Sequence, residues 1–296
     1  MPRASVAGVV VGGSIAFALA VTLAAQSAER VLYVSVFDEK TRAPVTGLGP
    51  DAFRVTEDGV RREVLRVTPA TTPMPVAVLI DNTQAATSTI PDLRKALAGF
   101  LRELDGVGPI ALMSVADRPT ILVDYTTDPA KLHDAVGRVF AVPGSGATLL
   151  DTIVDVSKGL GRRDADRAAV VLVTTENTEF STVHYRQVLD ALAKGGGMLS
   201  AIVLTNPNGS WTSDEARNRA SVLDQGPRDS GGVRFDVLTS LAYEGRLREL
   251  AAILKSQHRV VYSRPQSLIV PERVAVEATK AGLEAHGAPA RGQAAR

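Results

Sequence analysis

Asp81, Asn82 and Thr83 follow directly on an uninterrupted apolar run, Val76-Ala77-Val78-Leu79-Ile80. With Pro75 before it and polar residues after it, the run is too short for a helix and reads as a strand buried on both faces. In an open parallel sheet the ligand crevice forms outside the carboxyl ends of the strands, so Asp81 is expected at the edge of such a crevice. A second polar group follows the glycine-rich stretch at 143–146, where Gly146 and Ala147 lead into Thr148 and then Asp151. A third, Thr174-Thr175-Glu176-Asn177, ends another fully apolar run at 168–173. Two kinds of work are open to these residues. They can engage a ligand at the crevice, or they can fix their own loops, with Asp81 orienting nearby amides and Thr83 and Thr148 satisfying turn hydrogen bonds. Asp151, in the first turn of a helix, is favoured there by the helix dipole without any ligand.

Other chemistry finds little support. His133, His184, His258 and His286 fall on separate elements with no paired ligand spacing, which argues against zinc. Cysteine is absent, so disulfides, thiolate metal sites and a cysteine nucleophile are excluded. No nucleophile elbow, phosphate-binding loop or dinucleotide fingerprint occurs, and Gly144-Ser145-Gly146 reads as a flexible loop at the crevice mouth. An enzyme is not expected. Trp211, in the polar stretch at 206–229, is read as an anchor for its loop.

The formal net charge of +1 and the absence of a sustained basic face argue against a nucleic-acid partner. With 45% hydrophobic and 22% charged residues, the body of the chain falls within globular norms. Residues 4–25 carry no charged side chain, follow Arg3, and precede Gln26-Ser27 and Glu29-Arg30. Residues 1–28 therefore read as a signal peptide or an N-terminal membrane anchor, since about 20 apolar residues suffice to span a bilayer. Either way the remainder is expected outside the cytoplasm, secreted, periplasmic or in the cell envelope. Contact with a membrane is expected only through that segment.

The elements that would hold the polar groups in place follow in two blocks. Residues 31–72 lack helical periodicity and read as short antiparallel strands, with Asp58-Gly59 as a strong hairpin signal, forming a small β module and linker. From 73 to 264 strands alternate with helices. The first helix shows an apolar stripe at Ile90, Leu93, Leu97, Phe100, Leu101 and Leu104, and a helix is expected near 214–223. The run at 259–262 reads as the last strand of the same sheet. Five or six such strands give an α/β fold, a doubly wound, mostly parallel sheet with helices on both faces. An additional strand is expected within 265–279, and 280–296 reads as a disordered tail.

The Asp81-x-Thr83 loop after its strand, Gly146-Ala147-Thr148-Leu149-Leu150-Asp151, and Val170-Val171-Leu172-Val173-Thr174 before a polar loop together resemble the von Willebrand factor type A (VWA) domain. The preceding segment, with Phe53-Arg54-Val55-Thr56-Glu57-Asp58-Gly59, is similar to the β-rich segment of exported bacterial proteins that carry this domain. The resemblance covers roughly residues 31 to 276. It implies a metal-ion-dependent adhesion site in which Asp81, Thr83 and Thr148 would hold Mg²⁺ or another divalent ion and a partner's carboxylate would complete the shell. Such a cation requires about six hard oxygen ligands. The sequence departs from the motif at Ala85, which offers no oxygen, and at Thr175, which stands where the family has aspartate, with Glu176 as the nearest substitute. A degenerate metal site and no cofactor are thus the alternatives. The implied function is protein binding through the loops of Asn82, Gly146, Thr175 and Glu176. An architectural envelope component with a vestigial crevice is a second reading, and an unrecognised hydrolase a third.

Overall fold

The computed structural model of the chain describes residues 27–205, 213–266 and 268–290. The expected leader or anchor (up to residue 26), Trp211 and the last six residues lie outside them. In chain order the strands and α-helices are β1 (Ser27–Asp38), β2 (Phe53–Glu57), β3 (Val60–Arg62), β4 (Val64–Pro69), β5 (Val76–Asp81), α1 (Ile90–Glu103), β6 (Ile110–Val115), β7 (Pro119–Thr126), α2 (Pro129–Gly137), α3 (Leu149–Leu160) and β8 (Ala168–Thr175). They continue with α4 (Tyr185–Gly195), β9 (Gly197–Leu204), α5 (Asp214–Ser230), β10 (Arg234–Val237), α6 (Tyr243–Lys255), β11 (His258–Pro265), β12 (Val274–Ala278) and β13 (Leu283–Pro289).

The unbroken apolar run at 76–80 becomes the centre of a six-stranded sheet of order β10-β9-β8-β5-β6-β7. All neighbours are parallel except β6 and β7 at one edge. Successive side chains of a strand point to opposite faces, and both faces of β5 are covered. Val76, Val78 and Ile80 enter the core built with α1, α2 and α6, including Leu97, Phe100, Leu250 and Leu254. Ala77 and Leu79 enter the core on the other face, with Leu150, Ile153, Val188 and Leu223 from α3, α4 and α5. The α1 stripe is buried as its spacing predicts, at Ile90, Leu93, Leu97, Phe100 and Leu101.

The remaining strands form two smaller antiparallel sheets, β13-β1-β11-β4 and β12-β2-β3, packed over Leu32, Val34, Phe53, Val55, Val260 and Tyr262. The Asp58-Gly59 hairpin joins β2 to β3 with φ of 48° and 80°, the left-handed pair that a two-residue turn of this hand requires. Two placements differ from the sequence reading. The run at 259–262, expected as the last strand of the parallel sheet, lies in β11 and pairs antiparallel with β1 and β4. Within the segment read as a disordered tail, β13 pairs antiparallel with β1 from Leu283 to Pro289. The small β unit is therefore assembled from both ends of the described chain, and the additional strand expected within 265–279 is β12, paired with β2.

The β unit joins the parallel sheet at the amino ends of its strands. Arg167, one residue before β8, donates to the carbonyls of Ala70 at 3.0 Å and Thr72 at 2.7 and 2.9 Å, and to Gln257 Oε1 at 2.8 Å. The carboxyl ends lie at the opposite end of the sheet, where the strand order reverses around β5 and β8.

Candidate functional site at the strand ends

Because β5 and β8 are parallel neighbours in register Ile80↔Val173, their last residues bring Asp81 against Thr174 and Thr175. The Asp81 carboxylate is buried, and both of its oxygens are fully engaged. Oδ1 accepts from the Thr83 amide at 3.0 Å and the Thr83 hydroxyl at 2.7 Å. Oδ2 accepts from the Thr174 hydroxyl at 3.0 Å, the Thr175 amide at 2.9 Å and Asn177 Nδ2 at 2.8 Å. A carboxylate has about four lone-pair sites, so five donors leave none for a further ligand. Asn177 Nδ2 also donates to the Thr83 hydroxyl at 2.7 Å, which closes the loop after β5 onto the loop after β8.

The cation of this site is part of the chain. Arg219 on α5 is only 5% exposed. Its Nη2 donates to the Thr174 hydroxyl and the Thr175 carbonyl, each at 2.6 Å, and its Nη1 to the Asn177 side-chain oxygen and, at 3.5 Å, the Asn177 carbonyl. Nη1 also lies 3.7 Å from Glu179 Oε2, an ion pair with almost no solvent on either side. Burial raises the pKa of Glu179, and the Arg219 charge and the Ser181 hydrogen bonds pull against that rise. Glu179 Oε1 accepts from the amides of Leu149 at 3.0 Å and Ser181 at 3.3 Å, so the carboxylate ties α3 to the loop after β8. Beside the cluster stands buried Tyr243, whose pKa is raised by burial, with the side chains of Thr175 and Thr89 pulling against that rise.

These residues do not fit the divalent ion that the resemblance implies. A metal ligand must turn an unshared oxygen lone pair toward the cation, yet Asp81 and Thr83 spend theirs on each other and on Thr174, Thr175 and Asn177. Thr148 is held elsewhere, its hydroxyl donating to the Ala116 carbonyl at 2.9 Å at the end of β6. Ala85 lies exposed in the short helical turn after Thr83. The Glu176 amide donates to the Leu204 carbonyl at 3.0 Å, and the acid brought into the cluster is Glu179, three residues further on. Among the described residues no group of three or more histidine or acidic side chains is arranged to hold a metal ion. Asp151 keeps the place expected for it in the first turn of α3 and accepts from the Thr182 amide at 3.3 Å.

Above this closed floor the loops carry apolar side chains into solvent. Asn82 supports one of them, its Nδ2 donating to the Phe140 carbonyl at 2.9 Å and its own carbonyl accepting from the Val142 amide at 2.8 Å. Phe180 lies against Gly146, where an added Cβ would come within 2.2 Å of its ring. Phe140, Val142, Phe180, Leu238 and Leu241 are all exposed, and all follow the carboxyl-terminal side of the sheet. Ser240, between the last two, donates to Asp92 of α1 at 2.5 Å, which holds that loop over the same end. A cavity of about 850 Å³ lies away from this end, between the ends of α4 and α5 and the strands β12 and β13.

The sequence reading placed Asp81, Thr83, Asn82, Gly146 and Thr175 at this end of the sheet but did not include Arg219 or Glu179. A signal for Arg219 was present. The buried face of α5 is Arg219, Val222, Leu223, Gly226 and Pro227, a spacing of three, four, seven and eight residues with a charge at its first position. A charged residue on the apolar stripe of a helix marks a buried ion that must find partners.

No family model matches the chain, and no curated protein matches it. Among solved structures, the chain is similar to a von Willebrand factor type A protein from Catenulispora acidiphila, at 15% identity and a TM-score of 0.49, covering 82% of this chain and 74% of that one. It is also similar to the conserved hypothetical protein BatB from Bacteroides thetaiotaomicron, at 14% identity and a TM-score of 0.48, covering 62% and 100%. A third is the minor pilin PilB from Streptococcus sanguinis, at 10% identity and a TM-score of 0.49, covering 63% and 62%. The likenesses are weak and scattered.

Proposed function

We propose that the chain is a VWA-type interaction protein of the cell envelope. In this reading it captures a protein partner on the loops at the carboxyl ends of the parallel strands, without a divalent ion and without bond chemistry. The observation that carries it is the pairing of a closed floor with an apolar rim. Arg219 neutralises the floor from inside, and Phe140, Val142, Phe180, Leu238 and Leu241 stand exposed around it. Exposed apolar side chains grouped on one face mark an interaction surface, whereas those scattered singly need no explanation. The export or anchor segment read in residues 1–28 supplies the location.

Two measurements test it. A photoreactive group at Phe180 should cross-link the partner in intact cells in the presence of chelator, and the same group at Ile121, on the edge strand β7, should not. Cross-linking at both positions or at neither would move the interface elsewhere. Thermal unfolding with Mg²⁺ or Mn²⁺ should match unfolding in chelator. An ion bound at 100 times its Kd would stabilise the native state by about 2.7 kcal/mol, and such a shift would restore the metal-dependent reading.

A further inference from the structure

The end of β11 away from the Arg167 joint carries a second exposed apolar group. Leu268, Ile269 and Val270 follow β11 in succession, all exposed, with Ile269 at 88%. Buried Arg264 draws the loop's backbone inward, donating to the Leu268 carbonyl at 3.3 Å and to the Ile269 carbonyl, which leaves the three side chains outside. Val60, also exposed, starts β3 two residues after Asp58, and the Asp58 turn is pinned to the segment that follows the loop. The Asp58 carboxylate accepts from the amides of Arg273 at 2.8 Å and Glu272 at 3.3 Å.

Sheet register decides what this group faces. Ser27 pairs with Pro265 and Ala28 with Arg264, so the chain enters the fold from residues 1–26 immediately beside the 268–270 loop. Residues 4–25 carry no charge, and about 20 apolar residues are enough to cross a bilayer. From this end β11 runs back to His258 and Gln257 at the Arg167 joint, and the parallel strands lead on from that joint to Asp81. Around the loop the charges are mixed, with Arg61 and Arg273 beside Asp58, Glu63 and Glu272, so attraction to anionic lipid is not the driving term.

We propose that Leu268, Ile269 and Val270, together with Val60, rest in the interfacial region of the bilayer that holds residues 4–25. The body then stands on the membrane with its partner-binding rim facing away. Interfacial binding of this kind grows with the apolar area buried at the headgroup boundary. The inference rests on the anchor reading made above.

The chain has no cysteine, so single labelling sites can be introduced at will. Full-length Ile269→Cys and Leu241→Cys chains, each carrying an environment-sensitive fluorophore, would be reconstituted into phosphatidylcholine vesicles with and without brominated lipid. The label at 269 should shift to the blue and lose emission to the bromines. The label at 241 should behave as it does in water. Replacing part of the phosphatidylcholine by phosphatidylglycerol should change neither result. A chain that fails to float with the vesicles would overturn both the anchor reading and this inference. A floating chain whose label at 269 stays water-like would overturn the inference alone. A label at 269 shielded from water but not quenched by lipid, in a particle of twice the mass, would assign the patch to a second copy of the chain and overturn it as well.

Discussion

Two buried arginines hold opposite ends of the parallel sheet, and they do so by different means. Arg167, at the amino ends, spends its guanidinium on neutral acceptors, the carbonyls of Ala70 and Thr72 and the amide oxygen of Gln257. Burial lowers its pKa, and the side chain lies 5.6 Å over the Tyr33 ring. Arg219, at the carboxyl ends, faces a buried carboxylate at 3.7 Å and the hydroxyl and carbonyl oxygens of the loop after β8. The first binds the β unit and linker to the α/β unit. The second places its positive charge at the strand ends, against the Glu179 carboxylate. A guanidinium among dipoles alone is a structural bolt. One opposite a buried acid also determines which charges the site can tolerate.

The largest expected effect separates the two. Arg219→Leu leaves the buried Glu179 carboxylate without its cationic partner and should cost about 3–5 kcal/mol in urea unfolding at neutral pH. The sign of its pH dependence follows from Glu179, whose native pKa already lies above the ordinary 4.5 because of burial. Without the arginine that rise grows. The penalty is then fully present above the native pKa and declines as pH falls from there toward the ordinary 4.5, so the deficit should shrink in acid. Adding Glu179→Gln should recover part of it at neutral pH. An Arg219→Leu deficit unchanged by either acid or the second substitution would show that the pair carries no coupling.

Arg167→Leu should cost less, about 2–3 kcal/mol, since it strands neutral acceptors rather than a charge. Its deficit should not vary between neutral and mildly acidic pH. Limited proteolysis should open the linker at 70–75 before the rest of the chain, and loss of all structure at once would mean that the two units do not separate there.

Gly231 sharpens the comparison away from either arginine. It caps α5 at φ +77°, and an added Cβ would lie 2.4 Å from the Gly287 backbone of β13. Gly231→Ala should cost at least about 1–3 kcal/mol, since the clash with the Gly287 backbone adds to the strain of the left-handed φ, with the cross-linking at Phe180 unaffected.

The smallest effect concerns His258, buried at the start of β11 beside Phe53 with its pKa lowered by burial from 6.5. The native state keeps this ring neutral, so its contribution is present above 6.5 and lost as pH falls toward the native pKa. His258→Leu should flatten the melting temperature against pH in that window, and an unchanged slope would place the acid sensitivity elsewhere.

Much of the architecture is legible in local pattern. The run at 76–80 is apolar without alternation because both faces of β5 are covered, and the α1 stripe is buried along its helical spacing. Asp58-Gly59 makes its hairpin because those two residues accept positive φ at low cost. The pairing of β11 was not legible. A short apolar run states that a strand is buried but not beside which strand, and the partners of β11 are β1, at the other end of the chain, and β4. The strand Leu283–Pro289 was hidden for a related reason, since its glycine, alanine and proline content matches a loose tail until β1 offers an edge.

At the site the division follows the same line. The sequence by itself determined that Asp81 would end a central strand with Thr83 beside it, because periodicity and strand length depend on neighbours in the chain. Only the tertiary structure decided which cation that end would hold. Arg219, Glu179 and Asn177 come from a helix and a loop far along the chain from Asp81. Their charges matter because packing removes the water that would otherwise screen them, and neither that packing nor that desolvation exists until the sheet and its helices have closed.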